Sequence, residues 1–215
     1  RMLIAKVRLL SEYAKLLKDN GMEVSLLYDD LLINVTEFFR DSESFIYLKE
    51  ILFPKFLKEK GPDNRFRVWV TACSTGQEAY SIAMLLLELY GDRPINKQVQ
   101  IFASDLSQQA IKQARAGVYS KSEVSNVSEQ RLDRFFTFSN GEYRINKSVR
   151  DLCTFAPHNI LGDPPFSKID FISCCNMLIY FDIDNQKKVL TTFHYALNDG
   201  GTLMLGKSET TGNSE

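Results

Sequence analysis

From Arg67 onward, short runs rich in β-branched and aromatic residues alternate with longer runs whose apolar residues recur at three- and four-residue spacing. No other feature restricts the fold as strongly. Strands are expected at residues 68–72, 99–104, 152–156, 169–174 and 202–205, with helices near 78–90, 108–116 and 185–197. Strand-helix-strand alternation of this kind implies an α/β fold: a mostly parallel sheet with helices on both faces. Residues 120–147 break the rhythm, with a helix near 128–135 and a hairpin-like "FFTFSNGEYRI" that turns at Asn140-Gly141.

Ahead of the alternation, "RMLIAKVRLLSEYAKLL", "VSLLYDDLLINVTEFF" and "SESFIYLKEILFPKFLKE" all read as helices. The chain is therefore expected to divide into a helical segment and linker at 1–60 and an α/β domain at 61–215. At 215 residues and 44% hydrophobic content it can bury one sizeable core. Lys and Arg total 26 against 27 Asp and Glu, so no global basic excess points to nucleic acid. Cys73, Cys153, Cys174 and Cys175 lack CxxC spacing, and neighbours such as Cys174 and Cys175 are poorly placed to bridge each other. Reduced thiols and a cytoplasmic location are expected. No apolar run approaches the roughly 18 residues needed to span a bilayer, so no direct membrane insertion is expected. The histidines and cysteines form no metal-ligand set at usual spacing.

In an open parallel sheet, ligands bind outside the carboxyl ends of the strands. The first expected strand runs into "ACSTGQE", where Gly76 permits close backbone approach just before a helix N-terminus. It lacks the G-x-G-x-x-G spacing of nicotinamide-binding sheets. The second ends in "ASDLS", placing Asp105 at a strand tip, the usual position for a partner of a ribose diol. "PHNIL" follows the third, and the fourth ends in "CCNMLIYF". Each feature alone has a plainer reading. The glycine turn can be a tight connection, Asp105 a helix cap, Asn159 a turn residue, and Tyr180 and Phe181 core aromatics. Their order in one chain at α/β spacing favours a shared site.

"FFRDSESF", "RVWVTACSTGQEAYSIAMLLLE", "IFASDLSQQAIKQARAGVY", "FAPHNIL", "DPPFSKIDFISCCNMLIYF" and "HYALNDGGTLMLGKSET" together resemble the CheR-type chemotaxis receptor methyltransferases. Those are S-adenosylmethionine-dependent protein-glutamate O-methyltransferases. The resemblance runs from about Leu31 to Glu209 and is nearest the branch fused to methylesterase and sensory domains. It implies a Rossmann-like class I methyltransferase sheet with a partial helical subdomain. S-adenosylmethionine is the implied cofactor and S-adenosylhomocysteine the product. The implied partner is the cytoplasmic part of a chemotaxis-type receptor, alongside other domains of a larger fused protein. By the same resemblance Asn34, Thr36 and Arg40 line the cofactor from the helical side. Glu78 meets its amino group, Asp105 its ribose, Asn159 and Ile160 its adenine, and Cys175, Asn176 and Tyr180 the region of the sulfonium. Arg40 and Tyr180 are the implied catalytic pair. A basic face on the opening helix, with Arg1, Lys6 and Arg8, would engage the receptor.

Two departures stand out. The family usually has Cys-Arg-Asn where this chain has Cys174-Cys175-Asn176, and Gly-Glu-Glu where it has Gly76-Gln77-Glu78. The chain also opens inside the family's helical domain and stops short of its final antiparallel strands, so it reads as a fragment or pruned module. These departures keep open a catalytically weak or inactive module that binds S-adenosylmethionine or S-adenosylhomocysteine for sensing or docking. "DPPF", Asp163 to Phe166, matches a motif of amino-methyltransferases. Here it precedes the fourth strand, and its side chains are expected at the opposite end of the sheet.

Overall fold

The computed structural model describes residues 1–32, 34–60, 65–91, 95 and 98–211. Two compact units emerge, Arg1–Val35 and Thr36–Glu215. In the first, Asn20 joins α1 (Leu10–Asp19) to α2 (Gly21–Leu31). Its N–H closes α1 on Leu16, and its Oδ1 accepts from the N–H groups of Met22 and Glu23 at 3.0 and 3.2 Å. The helices are shorter than the sequence pattern suggests. Residues 2–6 form turns, with Lys6 left-handed at φ 57°. Arg1 folds back onto Glu23 at 2.6 Å and Asp30 at 3.5 Å. The expected helical face of Arg1, Lys6 and Arg8 therefore does not form, because a left-handed residue interrupts it and intramolecular carboxylates take up the Arg1 charge. α2 ends at Leu31, ahead of Asn34, Val35 and Thr36, all poor helix formers.

The second unit opens with α3 (Ser42–Tyr47), a π-helical turn at Leu48–Leu52 and α4 (Phe53–Lys60). The wide turn, in which the Phe53 N–H bonds to Leu48 O, falls just before Pro54, whose missing N–H loosens the α ladder there. The remaining elements follow in order: β1 (Phe66–Thr71), α5 (Gln77–Tyr90), β2 (Val99–Asp105), α6 (Gln108–Ala116), β3 (Val118–Ser120), α7 (Glu129–Phe135), β4 (Phe136–Ser139), β5 (Glu142–Ile145), α8 (Lys147–Arg150), β6 (Cys153–Pro157), β7 (Ile169–Cys174), a 3-10 turn (Leu178–Tyr180), α9 (Ile183–Ala196) and β8 (Leu197–Leu205).

Five strands form a parallel sheet in the order β6-β2-β1-β7-β8. Strand alternation splits the core in two. Val68, Val70 and Phe171 pack with α5 and with Phe53, whereas Trp69, Ile172 and Cys174 pack with Val189 and Phe193 of α9. This is the expected α/β sheet with helices on both faces, and order reverses at β1, so the crevice above the tips of β1 and β7 is the switch point. β8 begins at Leu197, five residues before the expected start. Its Asn-Asp-Gly-Gly stretch has no strand propensity, but Leu197 pairs with Ile169 across a register shift in β7. The interrupting segment forms a small antiparallel sheet, β3-β5-β4, whose hairpin turns through Asn140 and Gly141 at φ 54° and 81°. Among the described residues, no helix is long and apolar enough to cross a membrane.

Candidate active site

The connection from β1 to α5 is wound tightly. Ala72, Ser74 and Gly76 all take positive φ, at 48°, 49° and 96°. A Cβ on Gly76 would lie 2.9 Å from the Ala114 Cβ and 3.3 Å from Phe155, so both conformation and packing require glycine. Internal bonds fix the turn: Cys73 N–H to Ser104 O at 2.9 Å, Ser74 N–H to Asp105 Oδ2 at 2.7 Å, and the Tyr119 hydroxyl to Thr75 O at 2.7 Å. The Ser74 Oγ is buried without a hydrogen-bond partner among the described residues. A polar atom left that way inside a formed turn fits a site shaped for a polar ligand.

Glu78, in the first turn of α5, faces the tip of β7. Its Oε1 accepts from the Ser173 hydroxyl at 2.5 Å, and the Cys175 Sγ lies 3.7 Å from the same hydroxyl. Burial pushes the Glu78 carboxyl up to about 7, and the charge of Glu209 adds to the rise; the Ser173 bond and the charge of Arg40 oppose it. Such a carboxylate gains from a cationic ligand. Burial also raises the Cys175 thiol, with the Glu78 charge adding to it, so it stays protonated at neutral pH. All four cysteines are free thiols.

Asp105 ends β2 and ties two loops together, accepting from Ser74 N–H at 2.7 Å and Ser107 N–H at 2.8 Å. Ser107, not Asp105, caps α6, through Ala110 N–H at 3.1 Å. Burial raises the Asp105 carboxyl while its backbone bonds to Ser107, Ser74 and Leu106 hold it down. A carboxylate has about four lone-pair positions, so acceptor capacity remains for a ligand hydroxyl. Beyond β6, Asn159 is exposed. Its Oδ1 accepts from Leu161 N–H at 3.1 Å, and its own N–H donates to Asp163 at 2.8 Å, so its side chain here shapes its own turn. Ile160 is half-buried and packs against the α9-side core.

The "DPPF" segment departs from expectation. Asp163 binds Asn159 and Pro164 O contacts the His158 ring at 3.1 Å, both just past the carboxyl end of β6. Phe166 stacks on Phe102 at 4.7 Å and meets Trp69 edge-on at 5.2 Å. Aromatic packing draws Phe166 onto the sheet face, while Asp163, Pro164 and Pro165 stay exposed.

Residues 36–40 are anchored by their aromatic pair. Phe38 meets Tyr119 and Phe136 at 5.0 and 5.6 Å, and Phe39 donates its N–H to Ser81 Oγ at 3.0 Å and lies under Arg131 at 3.9 Å. Thr36 is half-buried and Arg40 exposed. Tyr180, in the 3-10 turn, is 59% exposed. Asn34 belongs to the other unit, where it is exposed. The fold thus joins Glu78 with Ser173 and Cys175, and Asp105 with the first turn.

Three contributors escape a sequence reading. Ser173 carried one signal, a hydroxyl inside the otherwise apolar run "FISC". Tyr119 carried none. Glu209 accepts from the N–H groups of Asn176, Gly206 and Leu178 at 2.8, 2.7 and 2.6 Å, a role invisible without the fold. Among the described residues no group of His, Cys, Asp or Glu could hold a metal ion.

A parallel sheet with a tight glycine turn, a carboxylate at the first helix start and another at the second strand tip defines a Rossmann-like fold of the methyltransferase class. The description "CheR methyltransferase, SAM binding domain" matches residues 34–215, and the chain belongs to that family. Its cofactor is S-adenosylmethionine. The chain is 37% identical over 209 residues to an uncharacterized 104.1 kDa protein in the hypE 3′ region of Rhodobacter capsulatus, covering 97% of this chain and 22% of that protein. It is 37% identical over 185 residues to chemotaxis protein methyltransferase 1 of Vibrio cholerae, covering 84% and 66%. The chemotaxis protein methyltransferase of Escherichia coli is 33% identical over 208 residues, covering 92% and 68%. The chain thus spans about a fifth of the first relative and about two thirds of the other two.

Proposed function

We propose that this chain transfers methyl groups from S-adenosylmethionine to glutamate side chains on the cytoplasmic part of a chemotaxis-type receptor, and that it works in the cytoplasm. The observation that carries the reading is Glu78: a half-buried carboxylate facing the β7 tip beside a preformed turn, in a chain of the CheR family. Glu78 takes the cofactor's amino group, and the turn with its free Ser74 hydroxyl cradles the methionyl end. Asp105 accepts from the ribose, while Asn159, released from its own turn, and Ile160 bind the adenine. Cys175 and Asn176 border the sulfonium, and Thr36 completes the helical side. The cofactor, when bound, would supply a methyl carbon on a sulfonium, to which an acceptor carboxylate oxygen would bond as the carbon–sulfur bond breaks and its electron pair stays with sulfur. No proton moves in that step, so neither His158 nor His194 is needed as a base. Arg40 orients the acceptor carboxylate and Tyr180 places its hydroxyl beside it, so rate comes from positioning and exclusion of water.

Two measurements test this. Calorimetric titration should show saturable binding of S-adenosylmethionine and S-adenosylhomocysteine; no heat with either removes the reading. Labelled methyl transferred to a receptor cytoplasmic fragment should leave as methanol under mild alkali, as esters do. Alkali-stable label would indicate a different acceptor, and cofactor binding with no transfer would favour a sensing or docking module.

A further inference from the structure

Residues 206–209, the "GKSE" that ends the resemblance to the family, bind both pieces of the acceptor side yet have no role in the reaction as described. Glu209 is the centre. Its Oε1 accepts from Leu178 N–H at 2.6 Å, and its Oε2 from Asn176 N–H at 2.8 Å and Gly206 N–H at 2.7 Å. Leu178 begins the turn that carries Tyr180, and Asn176 is left-handed at φ 59°, a conformation that asparagine tolerates better than most residues and that the bond from its N–H to Glu209 pins in place. Gly206 has no room for a side chain, since a Cβ would lie 2.7 Å from the Glu209 Oε2 and 3.1 Å from Asn176 N. From the same segment, Lys207 reaches Asp41 at 3.1 Å and Glu43 at 3.6 Å, so the strap also holds the residue that follows Arg40.

We infer that Glu209 is a positioning residue for methyl transfer. Its carboxylate gathers three backbone N–H groups to hold the left-handed Asn176 and the 178–180 turn, which sets where Tyr180 stands relative to Arg40. A carboxylate suits the task because one side chain can satisfy three donors on two strand tips, which no neutral residue does. Lys207 supplies a weaker, solvent-exposed tie to the Arg40 side. The inference rests on the proposed roles of Arg40 and Tyr180.

The test uses Glu209→Gln and, as an approach from the other side, Gly206→Ala, which keeps the carboxylate but crowds it. Both should lower kcat for receptor methylation by about tenfold or more and weaken cofactor affinity by distinctly less, since of the residues Glu209 binds only Asn176 borders the cofactor. Amide exchange at Asn176 and Leu178 should quicken in both, with the amides of α5 unchanged. If Arg40→Ala and Tyr180→Phe slow transfer but Glu209→Gln does not, the inference fails and the proposed function stands. If wild type binds cofactor and methylates nothing, the proposed function fails, and Glu209 is then judged by exchange alone. Quickened exchange confined to Asn176 and Leu178 supports the strap, and unchanged exchange overturns it.

Discussion

The tip of β1 and the tips of β7 and β8 build opposite halves of one crevice by different means. At β1, the backbone of residues 72–76 adopts three positive φ angles, and Asp105, Tyr119 and the β2 backbone fix it from inside. At β7 and β8, the chain ends in exposed side chains, Tyr180 among them, and one carboxylate holds the backbone beneath them. The first half is built into the core and held by internal hydrogen bonds. The second is an open surface on a strap. That division suits the proposed reaction, in which the cofactor is small and constant and the acceptor is a side chain on another protein.

The comparison breaks most visibly if the β1 half proves soft. Gly76→Ala places a Cβ in a left-handed residue and drives it against Ala114. Strain and overpacking together should cost about 2–4 kcal/mol of stability. Thermal unfolding should show the loss, and calorimetry a drop in cofactor affinity of at least about tenfold. A variant that melts and binds like wild type would mean the turn is not preformed.

Glu78 sharpens the same contrast through pH. Its carboxyl lies at about 7 in the folded protein against an ordinary 4.5, because burial favours the neutral form. The folded state therefore binds this proton more tightly than the unfolded state does. Stability from this group is full below about 4.5 and declines as pH rises toward 7, by about 2–3 kcal/mol once partial exposure is allowed for. Cofactor binding should run the other way. A cationic amino group needs the ionised form, so affinity should fall on acidification below about 7. Glu78→Gln should flatten both dependences and weaken binding at pH 8 by about 1.5–3 kcal/mol, the range of a hydrogen bond to a charged group. Parallel slopes for stability and binding would show that Glu78 does not face the ligand.

What the sequence disclosed follows the same division. The central strands were legible because strands covered on both faces read as nearly continuous apolar runs, and β7 falls where its pattern puts it, at Ile169–Cys174. Glu78, Asp105 and Cys175 stand at a helix start and at strand tips, where a parallel sheet offers ligand positions, and the roles proposed for them come from the family resemblance. The partners that set their chemistry were not legible. Ser173 meets Glu78 across 95 residues, Glu209 meets Asn176 across 33, and Tyr119 meets Thr75 across 44. No local pattern encodes such separations. Amphipathic spacing overstates the N-terminal helices because it does not register a left-handed Lys6 or an arginine folded back onto Glu23.

The smallest predicted effect bears on how the two sheets communicate. Tyr119 stands on β3 of the antiparallel sheet, is fully buried, and sends its hydroxyl to the carbonyl of Thr75 in the β1 turn. Phe38, two residues from Arg40, packs on the same ring at 5.0 Å. The small sheet thus bears on both halves, but its polar tie goes only to the first. Tyr119→Phe keeps the ring and its packing and removes the hydroxyl alone, leaving a carbonyl without its donor at a cost of about 1 kcal/mol. Cofactor affinity should therefore fall about threefold to tenfold, while KM for the receptor fragment stays unchanged because the Phe38 contact survives. A rise in receptor KM with cofactor affinity intact would place the influence of the small sheet on the acceptor half instead, and the β1 turn would then hold its shape without it.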